Sequence, residues 1–180
     1  MKHLLPSLAE TERPHLVRFV ITFALTIVTW ACAHDLYLIH VEPRHFTEYH
    51  RPLLPITNHA LLALQYATIA TFGPGMVFGA LAWAVSRRGD RPPHTLRFAW
   101  ILFVPTILLV ETATLLVGSY ARSRHAAGLP LPYPDSFYPD NTAGIAYSQS
   151  VNLTAYLGAV TLGGAYLLTL FLLRHRPRPG

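Results

Sequence analysis

Histidine and carboxylate residues are concentrated in one short part of this chain, and both residue types can bind a metal ion or transfer a proton. Five of the ten histidines lie between positions 34 and 59. They are His34, His40, His45, His50 and His59, with Asp35, Glu42 and Glu48 among them. Histidine is the commonest metal ligand among side chains, and carboxylates complete many metal sites. The stretch therefore predicts a histidine-rich loop with a metal site, and the candidate ligands are His34, His45, His50 and His59.

The spacing of these histidines does not match a known metal motif. His45 and His50 are five positions apart, and His34 and His40 are six apart. Neither interval places two rings on one face of a helix, as the i, i+4 pair of a zinc-protease helix does. A haem ligated by His34 and His59 from adjacent helices is a second form of the site. In the remaining alternative, the histidines only occupy a membrane interface, where amphipathic rings are favourable.

A second candidate for chemistry is Glu111, a carboxylate inside an otherwise apolar segment. A charged side chain at the centre of a membrane costs about 3 kcal/mol on insertion scales, so Glu111 should face the protein interior and have a partner. The candidate partners are Gln65, Tyr66, Tyr156 and His34. Glu111 is then either a general acid or base, or a protonated group that joins two helices by bonding Gln65.

Four long apolar segments must position these residues. They cover about 16–39, 60–85, 98–118 and 150–173. A helix rises ~1.5 Å per residue, so ~20 apolar residues cross a hydrocarbon core of ~30 Å. Charged residues make up 13% of the chain, about half the share usual in soluble proteins. The sequence predicts an all-α integral membrane protein, an antiparallel four-helix transmembrane bundle that forms one domain over 1–180.

The basic residues are distributed unevenly between the two sides of this predicted bundle. Ten lysines and arginines precede the first segment, lie between the second and third, or follow the fourth, and only four lie in the other two connections. The positive-inside rule therefore places both termini in the cytoplasm. The outer loops are then about 40–58 and 119–149. A multi-pass protein of a cell membrane is predicted, and the richness in arginine, alanine and proline favours a bacterial inner membrane.

Three further features narrow the class of protein. The net charge of +5 belongs to the segment ends, and no basic run alternates with aromatic residues, so nucleic-acid binding is excluded. The single cysteine, Cys32, excludes a disulfide within one chain and a four-thiolate metal site. The apolar run 19–30 followed by Ala31-Cys32-Ala33 resembles a cleavable signal peptide, but the run continues to Ile39, which favours a membrane span.

Aligning the four segments by depth places polar groups from all of them in the outer third of the membrane, whereas the inner halves of the last three are almost purely apolar. This layer predicts one site. Its candidate catalytic residues are Glu111, Asp35 and His34. Its candidate substrate-binding residues are Gln65, Tyr66, Asn152, Tyr156 and Tyr49.

Small residues indicate where the helices could approach each other, because helices in lipid associate through close backbone contact. Gly75 and Gly79 form one such pair on the second segment. Ala155, Ala159 and Gly163 form a second stripe on the fourth. Pro74 interrupts the second segment and predicts a kink.

Three functions remain open on these residues. The first is a membrane enzyme, or a redox protein with a metal ion or haem, that acts on a lipophilic small molecule in the outer third of the bundle. The second is a small proton-coupled transporter or channel subunit that uses Glu111. The third is a non-catalytic subunit of a larger membrane complex. The predicted partners are the lipid bilayer, a lipophilic molecule, and other copies of the chain or subunits of a larger complex.

Overall fold

The computed structural model describes residues 12–50, 54–89 and 91–175, and this part of the chain contains helices but no strands. Four long helices account for most of it, and a short α-helix and one turn of 3-10 helix (Asp135–Phe137) lie in the connections. The α-helices are α1 (Arg13–Val41), α2 (Arg44–Thr47), α3 (His59–Arg87), α4 (Leu96–Ala126) and α5 (Ala143–His175).

The four predicted apolar segments are confirmed as helices, and α1, α3, α4 and α5 are each long and apolar enough to cross a membrane. The boundaries of the second predicted loop, 119–149, are wrong. Helix α4 continues to Ala126 and α5 already begins at Ala143. Hydropathy detects where apolar residues stop, whereas a helix ends where its backbone hydrogen bonds stop. Polar turns at the ends of α4 and α5 therefore lengthen both helices.

The prediction of a histidine-rich loop is also wrong. His34 and His40 lie in α1, His45 lies in α2 and His59 is the first residue of α3. Only His50 lies outside a helix. The loop prediction failed because the first helix continues past its apolar run, as far as Val41.

The long helices form two antiparallel pairs, in which α1 packs along α3 and α4 packs along α5. We call the end where α1 and α4 finish and α3 and α5 begin the upper end, and the opposite end the lower end. The predicted contact at Gly75 and Gly79 is confirmed. A Cβ atom at Gly79 would lie 2.7 Å from the Cα of Val20, and one at Gly75 would lie 3.0 Å from the Cα of Ala24. Helix α3 runs through Pro74 without interruption.

The stripe of small residues on α5 has a different role from the one predicted. Ala155, Ala159 and Gly163 line a cavity between the two helix pairs, although Gly163 also packs under the ring of Phe78. The close contact between α4 and α5 is made elsewhere, at Gly118, which lies against Val151. Small side chains on α5 therefore leave space rather than fill a helix contact.

An aromatic cluster closes the bundle at the lower part of this cavity, where Phe78 and Phe103 also line it. Phe23 lies in contact with Phe78, Phe103 and Tyr166, at ring-centroid distances of 5.9, 5.0 and 6.2 Å. The hydroxyl of Tyr166 donates a hydrogen bond of 2.8 Å to the carbonyl of Ala99. The four rings bring together α1, α3, α4 and α5, so they fix the lower half of the bundle.

The connection at the lower end is held by a buried arginine. Arg174, on the last turn of α5, is only 2% exposed. Its guanidinium donates hydrogen bonds to the carbonyls of Arg88 at 2.9 Å, Gly89 at 2.7 Å and Arg87 at 3.2 Å. Gly89 has a φ of +110°, which a glycine adopts without strain. A cation at the carboxyl end of α3 satisfies free carbonyls and complements the helix dipole.

Candidate functional site

The cavity between the two helix pairs has a volume of about 530 Å³ and is lined by residues of α1, α2, α3, α4 and α5. Its lower and middle parts are apolar, with Phe78, Phe103, Ile107 and Val110 among the lining residues. Most of the polar lining lies towards the upper end, and two threonines, Thr71 and Thr106, lie in the middle part. The polar residues towards the upper end are Trp30, His34, Asp35, His45, His50, Tyr66, Asn152 and Tyr156. The cavity has the volume of a small-molecule site and combines an apolar wall with few polar groups, as such sites do.

Glu111 bonds to His34, one of its four predicted partners. Its Oε2 atom lies 2.9 Å from Nδ1 of His34 and 2.9 Å from Nε1 of Trp30. Trp30 precedes His34 by one helical turn, so both side chains lie on the same face of α1. The indole N–H can only donate, which means that Oε2 accepts from Trp30. The carboxylate is thereby fixed between two rings of α1.

The other nitrogen of His34 has no partner in the described residues. His34 is only 5% exposed, it lines the cavity, and its Nε2 atom is buried without a hydrogen bond. A carboxylate beside Nδ1 favours the tautomer that carries its hydrogen there. Nε2 then has a free lone pair and can accept a proton or a hydrogen bond.

Asp35 adds a second acceptor to the same part of the cavity. Its carboxylate makes no hydrogen bond with the residues of ranges 12–50, 54–89 and 91–175, and its electrostatic neighbours are His34 and Tyr156. Buried polar groups usually have a partner. An unbonded carboxylate beside an unbonded imidazole nitrogen indicates a place for a ligand that donates hydrogen bonds.

His45 and His50 form the roof of the cavity. The His45 ring is 2% exposed, and its Nδ1 lies 3.4 Å from the hydroxyl of Ser148. Nδ1 of His50 lies 2.6 Å from the carbonyl of His45, and the two ring centroids are 4.7 Å apart. Burial, together with the nearby His50 and His34, lowers the pKa of His45 to about 3. His45 is therefore neutral at neutral pH.

The predicted metal ligands are only partly brought together. His34, His45 and His50 line the cavity, whereas His59 is exposed and lies outside it. His34 and His59, the predicted haem pair, therefore do not line the same cavity. Within the described ranges, no group of three or more histidine, cysteine, aspartate or glutamate side chains is arranged to hold a metal ion.

Only some of the predicted substrate-binding residues line the cavity. Asn152 and Tyr156 line the cavity. Tyr66 also lines it, and its hydroxyl donates a hydrogen bond of 2.9 Å to the carbonyl of His50. Gln65 does not bond Glu111: its Oε1 accepts a hydrogen bond of 2.9 Å from the backbone N–H of Leu54. Gln65 therefore supports the first connection rather than the site.

Tyr49 belongs to a polar cluster that joins the two upper connections, outside the cavity lining. Its hydroxyl donates a hydrogen bond of 2.7 Å to Oδ2 of Asp140. Arg44 donates to the same oxygen at 2.8 Å, and also to Glu42 at 3.1 Å and Thr142 at 2.9 Å. The hydrogen bond from Tyr49, with those from Thr142 and Arg44, holds the pKa of the Asp140 carboxyl below its usual value. We call these five residues the upper latch, because they connect the chain after α1 to the chain before α5.

Sequence reasoning missed two parts of this arrangement. Trp30 counted only as an apolar residue of the first segment, although its i, i+4 spacing from His34 could have shown that the two share a helix face. Arg44 counted only as a topology signal. Its partner Asp140 is 96 positions away, and no local pattern links the two.

No family model, curated protein or solved structure matches this chain. The functional argument therefore depends on the geometry of the cavity.

Proposed function

We propose that the chain is a multi-pass membrane protein that binds a lipophilic molecule in the cavity, and that His34 and Glu111 form an acid–base pair acting on its polar head group. One observation carries this proposal. His34 lines the cavity, its Nδ1 is bonded to the Glu111 carboxylate, and its buried Nε2 has no hydrogen-bond partner among the described residues.

Placement in a membrane is supported by the surface of the long helices. Large apolar side chains are exposed along them, including Val160 at 76%, Leu116 at 66% and Val77 at 62%. Contiguous apolar surface of this kind is rare on soluble monomers and is stable in lipid. The uneven distribution of basic residues favours an orientation with both termini in the cytoplasm. In that orientation the upper end faces the outside.

The proposed proton transfer uses only groups of known position. A hydroxyl of the head group places its hydrogen towards Nε2 of His34, and the imidazole nitrogen accepts that proton as the O–H bond breaks. The resulting imidazolium keeps its Nδ1–H bonded to Glu111, whose negative charge stabilises the positive ring. The oxygen left on the head group is then a nucleophile. Reversal returns the proton, so the pair serves as base and then as acid.

The charge of the cavity selects the kind of head group. The lining contains the carboxylate of Asp35 and no lysine or arginine among the described residues, and His45 is neutral. A carboxylate or phosphate head group would enter without a cation to balance it, which is unfavourable in an apolar site. A neutral or cationic head group that donates hydrogen bonds matches Asp35 and Nε2 of His34. We therefore propose that the ligand carries a hydroxyl or amino group on an apolar tail.

The route of entry is proposed to lie between α3 and α5. The exposed residues of the cavity lining are found on these two helices: Ala70 and Pro74 on α3, and Tyr156, Ala159 and Val160 on α5. This side opening would face lipid in the membrane. A lipophilic molecule could then enter sideways without crossing water.

The proposal is tested by the binding of three probes that share a long apolar chain and differ in their head group. A variant with Trp83 and Trp100 replaced by phenylalanine leaves Trp30 as the only tryptophan, so its fluorescence reports on the neighbourhood of His34. We expect dodecanol and dodecylamine to bind more tightly than dodecanoate in mild detergent. His34→Ala should weaken dodecanol binding by about tenfold, because a buried hydrogen bond is worth about 1.4 kcal/mol.

Leu109→Ala is the matched control, because Leu109 is exposed on α4 near Glu111 and lies outside the cavity lining. It should leave dodecanol binding unchanged. Equal binding of the alcohol, the amine and the carboxylate, or an unchanged affinity in His34→Ala, would overturn the proposal.

A transporter is the weaker alternative in this geometry. The rings of Phe23, Phe78, Phe103 and Tyr166 pack against one another at the lower part of the cavity. A route from the cavity to the lower end would require that cluster to separate. A non-catalytic subunit is compatible with the exposed apolar surface, but such a subunit has no need of an acid–base pair facing a cavity.

A further inference from the structure

A second, smaller cavity lies at the lower end and has a different chemistry. Its volume is about 300 Å³. It is lined by residues of α1, of the last turn of α3, of the connection between α3 and α4, and of the first turn of α4. The charged and titratable lining residues are Arg18, Arg87, Arg97, His15 and His94. We call this cavity the basic pocket.

Among the described residues, the basic pocket has more positive charge than its neighbours neutralise. Arg87 pairs with Glu12 at 3.0 Å and lies over the ring of Phe19 at 6.0 Å. Arg18 and Arg97 are exposed, and neither makes a hydrogen bond or an ion pair with a described residue. The lining itself includes no carboxylate among the residues described. Two guanidinium groups therefore remain available to an anion.

The backbone adds to this preference for an anion. Thr95 caps the 31-residue helix α4, and its side chain accepts a hydrogen bond of 3.2 Å from the N–H of Phe98. Thr95, Leu96 and Arg97 all line the basic pocket. The positive end of the helix dipole is thus directed to the same space as the arginines.

The pocket is also preformed. Arg174 holds the end of α3 through three carbonyls, and the backbone N–H of His94 donates a hydrogen bond of 3.1 Å to the carbonyl of Ser86. These contacts fix both ends of the connection that forms one wall. A site that is already ordered loses less entropy when a ligand binds.

We infer that the basic pocket binds a phosphate group, and that its natural ligand is the head group of an anionic lipid. Arginine binds phosphate in a bidentate way, and basic pockets at the cytoplasmic ends of membrane helices bind anionic head groups. The lipid source rests on the proposed membrane insertion, which would place the lower end at the depth of the head groups. A soluble phosphate ester shares the same chemistry.

The test compares three probes with the full chain in detergent: short-chain phosphatidylglycerol, phosphatidylcholine with the same chains, and inorganic phosphate. Binding is measured by native mass spectrometry. Phosphatidylglycerol should bind more tightly than phosphatidylcholine. The double variant Arg18→Gln, Arg97→Gln should weaken phosphatidylglycerol binding by at least about tenfold, because two charged hydrogen-bonding groups are lost.

The charge-matched control is Arg13→Gln, Arg88→Gln, which removes two exposed arginines of the same end that do not line the pocket. It should change the affinity by less than about twofold, as expected of surface charges. Equal losses in the two double variants, or equal binding of the two lipids to the unmodified chain, would overturn the inference. Pocket-dependent binding of inorganic phosphate without lipid binding would support the anion site and overturn the lipid source.

The binding of dodecanol separates this inference from the proposed function. The double variant of the basic pocket should keep the His34-dependent binding of dodecanol, which also shows that it is folded. If the unmodified chain binds dodecanol but does not prefer phosphatidylglycerol to phosphatidylcholine, only the basic pocket is refuted. If dodecanol binding is absent from the unmodified chain, the proposed function of the upper site fails independently.

Discussion

The upper cavity and the basic pocket are both bounded by α1 and α4, yet their linings differ in charge. The upper cavity contains histidines and the Asp35 carboxylate without any described arginine or lysine. The basic pocket contains three arginines without any described carboxylate. Charge in an apolar protein is unfavourable unless it has a partner or a function. The comparison teaches that arginines near helix ends, which indicate topology in the sequence, also give a cavity at the lower end of the bundle its basic lining.

The largest effect is expected from a change that disrupts both regions together. In Gly79→Leu, the new side chain would meet the backbone of α1, since even a Cβ atom would lie 2.7 Å from the Cα of Val20 and 2.9 Å from the carbonyl oxygen of Phe19. Overpacking of this kind costs about 3 kcal/mol. Thermal unfolding in detergent should show a lower midpoint, and both dodecanol and phosphatidylglycerol binding should decline. Gly73→Ala is the control, because nothing lies within 4 Å of its Cβ position; a similar loss there would contradict the assignment.

A change of pH should affect the upper cavity and the basic pocket differently, because His45 lines only the upper cavity. Because the pKa of His45 is lowered to about 3 in the folded chain, the unfolded chain binds a proton more readily below its ordinary pKa of about 6.5. Above that value His45 is neutral in both the folded and the unfolded chain and does not change the free energy of unfolding. As the pH falls from there towards 3, the free energy of unfolding declines, because only the unfolded chain binds the proton. At pH 5 it should have decreased by about 2 kcal/mol. Unfolding midpoints at pH 8 and pH 5 measure this, and His45→Gln should reduce the difference between them.

Phosphatidylglycerol binding reports on the basic pocket over the same pH range. It should remain between pH 8 and pH 5 as long as the chain is folded, because guanidinium groups stay charged throughout this range. An unfolding midpoint that depends on pH equally in the unmodified chain and in His45→Gln would refute the role given to His45.

The smallest of these effects is expected from Glu111→Gln, which removes a charge beside His34 with little change of shape. The amide oxygen of the variant can still accept a hydrogen bond, but it cannot stabilise a protonated His34. Because a charged hydrogen bond exceeds a neutral one by about 1 kcal/mol, dodecanol binding should weaken by about fivefold. Binding of phosphatidylglycerol at the basic pocket should stay the same. If both affinities decline together, Glu111 has a structural role in the whole bundle.

The helices were predictable from the sequence because a membrane-spanning helix needs a long apolar run, and α1, α3, α4 and α5 each contain one. Their ends were less predictable, since residues 120–126 and 143–152 are helical although they are partly polar. Hydropathy measures the preference for lipid and carries no information about where backbone hydrogen bonds stop.

The sequence predicted the level of the candidate residues along the bundle, but not the direction in which each side chain points. Counting along the helices placed Glu111 level with both His34 and Gln65, and only His34 bonds to it. Depth does not determine how a helix is rotated about its axis. For α3, which carries Gln65, the packing of Gly75 and Gly79 against α1 fixes that rotation. The basic pocket was harder still to predict from the sequence, because Arg18 and Arg97 line one pocket only when the connection between α3 and α4 is folded.

The contacts of Arg174 have a consequence for the synthesis of the chain. Arg174 follows Gly89, whose carbonyl it binds, by 85 positions. While the ribosome is still producing α5, the end of α3 lacks the guanidinium that later bonds to it. A nascent chain stopped before Arg174 should therefore be cut by protease in the connection between α3 and α4, and a chain extended past it should be protected. The wall of the basic pocket is therefore completed by a helix that is synthesised after the wall itself.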